Sequence, residues 1–144
     1  MTDSTGKTTF VPDAGITEIS EAYALDAVDF LREHARIDLD WTEKSIERME
    51  TVLASMHRSY LSGKPRPSED KVMEFARMFG SYVGEVIRRN HGGEWGMITM
   101  GGQEFPGLRQ TSGGLIWPWG RARNRLVQGP EDNMYHYYIS VTRR

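Results

Sequence analysis

Glu85 is the carboxylate best placed for acid–base chemistry. It sits in a densely apolar stretch, one helical turn from Arg88 and Arg89 and close on the helical wheel to Met78 and Tyr82. Apolar surroundings can perturb a glutamate pKa enough to make it a general acid or base. They serve a structural ion pair with a later arginine, Arg121, Arg123 or Arg125, just as well. No nucleophile or second acid is spaced to work with Glu85, so the ion pair is the stronger reading. The four histidines, His34, His57, His91 and His136, fall in different segments without the i, i+4 spacing of a zinc site. His57, beside an apolar stripe, reads as a surface or boundary residue. The chain has no cysteine, which removes thiolate catalysis, iron–sulfur clusters, cysteine zinc sites and disulfides. The pairs Gly92-Gly93, Gly101-Gly102 and Gly113-Gly114 lack the flanking residues of a phosphate-binding loop and read as turns. No catalytic residue, cofactor or metal is expected from these patterns.

Arg109, Arg121, Arg123, Arg125, Arg143 and Arg144 are interleaved with Trp117, Trp119, Tyr135, Tyr137 and Tyr138. These are the ingredients of a nucleic-acid surface, where guanidinium groups meet phosphates and rings stack on bases. A net charge of −2, from 20 acidic and 18 basic residues, argues against dominant binding to nucleic acid or to an anionic membrane. In a chain of 144 residues most aromatic side chains are needed for the core. The charge divides unevenly: residues 1–60 hold 12 acidic and 6 basic groups, and residues 61–144 hold 8 and 12. An acidic, amphipathic first half can present carboxylates to a basic partner and speed its association. The candidate partner contacts are therefore Glu33, Asp38, Glu47 and Glu50 on the acidic side, or Trp119, Arg121 and Arg123 on the other.

The elements that must position these groups follow from periodicity. Residues 1–15 are polar and lack the apolar run of a secretory signal, so they read as a flexible leader to a single domain over 16–144. No run of about 18 apolar residues could span a bilayer, and the expected setting is the cytoplasm. A first helix over Glu18–Arg36, capped by Thr17, places Ile19, Tyr23, Ala27, Phe30 and Leu31 near one face. A second starts near Asp40, with Glu43 completing a capping box, and carries Ile46, Met49, Val52, Leu53, Met56 and Tyr60 up to a C-terminal Gly63. A third runs from the cap Ser68 to the Gly92-Gly93 pair, apolar on more than one side and so central. Within it Ala76, Gly80 and Gly84 recur every four residues and form a groove for another backbone. Each glycine costs about 1 kcal/mol against alanine there, so something must pack on them. Glu94–Met100 then leads into a hairpin at Gly101-Gly102, and Leu115–Trp117 is a short strand stopped by Pro118. Arg121–Leu126 suits one or two helical turns. Beyond Gly129 the pattern divides evenly between a helix opened by Pro130 and a strand alternating Tyr135, Tyr137, Ile139 and Val141. Three N-terminal helices, a short antiparallel sheet or hairpin and a C-terminal helix make an α+β domain.

The run Tyr82-Val83-Gly84-Glu85-Val86-Ile87-Arg88-Arg89, ending at Gly92-Gly93 and leading into Trp95, resembles a pattern in small bacterial domains of unknown function. Trp117-Pro118-Trp119-Gly120-Arg121 and Gly129-Pro130-Glu131-Asp132 are similar to later segments of the same domains, and the resemblance spans about 68–140. It implies a close-packing role for Gly84, a pairing of Glu85 with a later arginine such as Arg125, and Trp95 as the first inward side chain of the sheet. It also tips the C-terminal segment toward helix and carries no catalytic residues. Some such domains look like immunity proteins that accompany bacterial toxins. The expectation is a non-enzymatic binding module, an inhibitor of a cognate protein such as a toxin. The alternatives are a small ligand-binding or enzymatic domain centred on Glu85, and an RNA-binding protein.

Overall fold

A computed structural model describes residues 7–143. Its spine is the third helix, α3 (Glu69–His91), whose residues Met78–Ile87 are buried without a break. Ser68 caps it, its Oγ accepting the Lys71 N–H at 3.2 Å, and Gly92 ends it at φ +83°. On one flank lies α1 (Ala14–Ala35) and on the other α4 (Pro118–Val127). The glycine groove receives two different neighbours. A Cβ on Gly80 would lie 2.5 Å from the Pro118 carbonyl oxygen, and one on Gly84 would overlap the Trp95 ring. Glycine here is a matter of clearance, since both residues are helical. Gly80→Ala pushes against backbone that cannot rotate aside, so we expect a loss of about 1–3 kcal/mol, measurable in urea unfolding.

After Gly92, β2 (Glu94–Met100) and β3 (Gln103–Arg109) form the hairpin, with Gly101 and Gly102 both at positive φ, +59° and +83°. β4 (Leu115–Ile116) pairs with β3, and the sheet is antiparallel throughout in the order β1-β2-β3-β4. The first strand, β1 (Thr9–Pro12), lies inside the segment expected to be a leader. Only residues 1–6 of that leader fall outside the described residues. Four residues carry too little periodicity to announce a strand, and β1 exists because β2 supplies its partner groups. Asp13 donates its N–H to the Trp95 carbonyl at 3.2 Å. By ladder alternation Pro12 therefore faces the open edge, where its missing N–H leaves no donor to recruit another strand.

Helix α1 starts earlier than Thr17. Asp13 is the cap, its carboxylate accepting the Ile16 N–H at 2.9 Å. Its buried face is Ile16, Ser20, Ala24, Ala27, Val28 and Leu31, while Ile19 of the expected face is 44% exposed. The small residues Ser20, Ala24 and Ala27 let α1 approach α3 closely, and that approach decides the face more than side-chain size does. The second helix, α2 (Glu43–Ser62), is capped by Thr42, with Oγ1 accepting the Ser45 N–H at 3.2 Å. Asp40 bonds the Thr42 hydroxyl instead, and Glu43 opens the helix rather than closing a capping box. After α4 and a 3₁₀ turn at Pro130–Asp132, the chain ends in α5 (Met134–Thr142), which buries Met134, Tyr138 and Val141 at helical spacing. Consecutive helices α2 and α3 meet at Ser45 and Tyr82 but are otherwise held apart, because α4 lies between them and α5 packs on α2.

Candidate functional site

Among the described residues two carboxylates are buried, and both are engaged. Glu85 is fully inaccessible on α3. Arg88 grips it with two parallel bonds, Nε to Oε2 at 2.7 Å and Nη2 to Oε1 at 2.8 Å. Arg89 Nε adds a bond to Oε1 at 3.4 Å, and the Trp95 indole N–H donates to Oε2 at 2.8 Å. The expected partner Arg125 is not among them. Arginines three and four residues along the same helix reach Glu85 first, and β2 brings in Trp95, the first buried side chain of the sheet's second strand. Burial pushes the carboxyl up, but the bonds from Arg88 and Trp95 and the charges of Arg88 and Arg89 outweigh it, holding Glu85 below the ordinary 4.5. A general base needs a pKa near the working pH and a lone pair turned to substrate. Glu85 offers neither.

Glu50, expected as an exposed partner contact, is 7% exposed. Its Oε1 accepts from Arg125 Nε at 2.9 Å and Asn133 Nδ2 at 3.2 Å, and its Oε2 accepts the Met134 N–H at 2.6 Å. One carboxylate thus pairs with α4 and satisfies the first helical N–H of α5. Arg125 is itself 3% exposed, and its Nη1 has no partner among the described residues. Two turns further along α2 His57, read as a boundary residue, is buried and donates from Nδ1 to the Leu126 carbonyl at 2.8 Å.

The arginine and aromatic candidates are also tied into the fold. Trp119 donates its indole N–H to Ser81 Oγ at 2.7 Å and meets Tyr23 edge-on. Arg121 pairs with Asp132 at 3.0 Å and lies over the Tyr137 ring, and Arg123 pairs with Glu69 at 2.7 Å. Glu33, Asp38 and Glu47 remain on the surface. Asp38 and Asp40 belong to the α1–α2 corner, where Arg32 reaches Asp38 at 3.5 Å and Arg48 reaches Asp40 at 3.4 Å. Glu47 pairs with Lys44 at 2.8 Å on the adjoining face of α2.

This corner is held by a residue that sequence reasoning missed. Trp41 has φ +65°, a strained conformation for a bulky side chain that costs on the order of 1–3 kcal/mol. Its ring lies against Tyr82, with the Arg89 guanidinium 3.6 Å from its centroid. Its N–H donates to the Tyr82 hydroxyl at 2.8 Å and its carbonyl accepts from Asn90 at 3.0 Å. Tyr82 also shares a 2.6 Å bond with Ser45, and burial pushes its hydroxyl pKa up. The one signal in the sequence was a tryptophan standing between Asp40 and the cap Thr42, outside any apolar period. Among the described residues no group of three His, Asp or Glu side chains could hold a metal ion, and no helix is long and apolar enough to cross a membrane.

The arrangement defines an α+β domain in which α1 and α4 flank a central helix and a four-stranded antiparallel sheet packs on α1 and, through Trp95, on α3. No protein-family model matches the chain, and no curated protein matches it. A crystal structure of a protein from Bacteroides thetaiotaomicron VPI-5482 is similar over 95% of this chain, with a TM-score of 0.69 and 20% identity. The chain spans about half of that protein, 48% of its length. A likeness at this identity establishes the fold alone.

Proposed function

We propose that the protein is a non-enzymatic binding module of the cytoplasm, an immunity-type inhibitor that engages a basic surface of a cognate protein such as a bacterial toxin. The observation that carries this reading is the division among its carboxylates. Glu85 and Glu50, the two that burial could have tuned for chemistry, are closed off by arginines and an indole, whereas Glu33, Asp38 and Glu47 face solvent around a rigidly braced corner. The pairs of Asp38 with Arg32 and Glu47 with Lys44 are solvent-exposed and so weak, which leaves these carboxylates able to exchange to a basic partner and orient it without catalytic groups. The toxin assignment rests on the resemblance of the Tyr82–Trp95 run to immunity-like domains.

Affinity purification of the tagged protein at moderate salt, followed by mass spectrometry, is expected to yield one stoichiometric partner. The triple variant Glu33→Lys, Asp38→Lys and Glu47→Lys should then weaken that complex by about tenfold or more and flatten its salt dependence. Unchanged affinity in the triple variant would remove the acidic corner from the interface. Release of a small-molecule product by the purified protein would replace the reading with an enzymatic one.

A further inference from the structure

The insertion of α4 between α2 and α3 has an end. Near the end of α4, at Leu126, α2 and α3 stay apart and leave an open cleft of about 260 Å³. Met56 and Tyr60 of α2, Val72 and Phe75 of α3, and Leu126 make its walls, and the surface they expose is almost entirely carbon. Lys71 lines the cleft, and Arg66, next to the lining residue Pro67, lies against one of its aromatic walls. The Arg66 guanidinium lies over the Tyr60 ring, 5.4 Å from the centroid, and the Lys71 ammonium over the Phe75 ring at 5.1 Å. Their local counter-charge is thin. Lys71 has one loose bond to Glu74 at 3.5 Å, with both side chains more than half exposed. Glu69, in the same turn, is taken by Arg123, and no carboxylate of the described residues pairs with Arg66. The N-terminus of α3 opens at this end, where its positive potential is offset by Glu69 and by the exposed Asp70 of the first turn, so the attraction for an anion rests on Arg66 and Lys71.

We propose that this cleft binds a small amphiphilic monocarboxylate, with its hydrocarbon or single-ring body among Met56, Val72, Phe75 and Leu126 and its carboxylate at the mouth beside Arg66 and Lys71. An apolar enclosure with a few charged groups at one end is the general form of such sites. The volume falls somewhat below the roughly 300–1,000 Å³ of sites for drug-sized molecules, which favours a short chain over a long one. The cations supply what a neutral ligand of equal length would not use. The site is independent of the acidic corner, which belongs to the α1–α2 connection.

The test is calorimetric titration with octanoate and, as its uncharged counterpart, octanol. Octanoate should bind saturably at one site and more tightly than octanol. Reversing both charges, R66E with K71E, should weaken octanoate about tenfold or more while leaving octanol unchanged. Ser59 is exposed on the rim, so S59W can fill the cleft from outside without entering the core, and it should abolish binding of both ligands while unfolding at the wild-type temperature. The proposal is overturned if octanoate gives no saturable binding at millimolar concentration, if octanol binds as tightly, or if S59W binds octanoate like wild type. It is equally overturned if S59W disrupts a complex with a protein partner while octanoate shows no affinity for the cleft.

Discussion

Glu50→Ala is expected to destabilise the fold by about 3–5 kcal/mol, a large fraction of the roughly 5–15 kcal/mol by which ordinary domains are stable. The cost comes from what is left behind. Arg125 keeps its charge at 3% exposure with Nη1 already unpartnered, and the Met134 N–H at the start of α5 loses its acceptor. Both groups are then buried and unmet. Urea unfolding reads the loss directly. Its origin is read by a second variant: Glu50→Leu with Arg125→Met removes both charges and should recover most of the stability, because two apolar side chains of similar size carry no desolvation cost. If the double variant is no more stable than Glu50→Ala alone, the stranded charge is not the source of the loss.

Glu85→Gln should cost about 3 kcal/mol, toward the lower end of the range for breaking a buried pair because Arg88 is 30% exposed and can turn toward water. The pH dependence gives the sharper result. The folded-state pKa of Glu85 lies below its ordinary 4.5, so its ionised form contributes stability that is fully present above about that pH. The contribution is lost as pH falls through the lower folded value. The stability gap between wild type and Glu85→Gln should therefore be constant near neutrality and close in acid. Asp40 and Glu69 are also lowered, each chiefly by a side-chain bond, from Thr42 and Arg123 respectively, and both act equally in the two proteins. A gap that persists unchanged well below pH 4.5 would count against the ion pair as its cause.

Charge reversal at the acidic corner and filling of the apolar cleft test binding, whereas these two substitutions test architecture. Glu85→Gln also bears on the enzymatic alternative. A protein that loses a chemical activity with its stability intact would restore Glu85 as a working acid or base, and a protein that loses stability as described here would not.

Much of the element order was legible in residue types. Ser68 and Gly92 mark the ends of α3 because a hydroxyl cap and a residue tolerant of positive φ are local requirements. Gly101-Gly102 announces its hairpin for the same reason, and the apolar residues of α3, spread over more than one face, require neighbours on several sides. The C-terminal segment stayed divided between helix and strand on periodicity because Tyr135, Tyr137, Ile139 and Val141 alternate. What settles it in space is Glu50, an acceptor 84 residues before the first helical N–H of α5.

The sequence by itself determined the class of fold, the central place of α3, the need for something to pack on Gly80 and Gly84, and an uneven distribution of charge. Each of these depends on the residue and its near neighbours, through sterics, capping and the helical period. Only the tertiary structure decided which charges are buried and which are exposed. Glu50 and Glu47 lie three residues apart on one helix, yet one is sealed against Arg125 and the other faces water. Glu85 is taken by Arg88 and Arg89 of its own helix, which leaves Arg125 to Glu50. Pairing of charges in a low-dielectric interior depends on which elements meet there, and here α4, inserted between two helices consecutive in the chain, sets the Glu50–Arg125 pair and the cleft beyond its end.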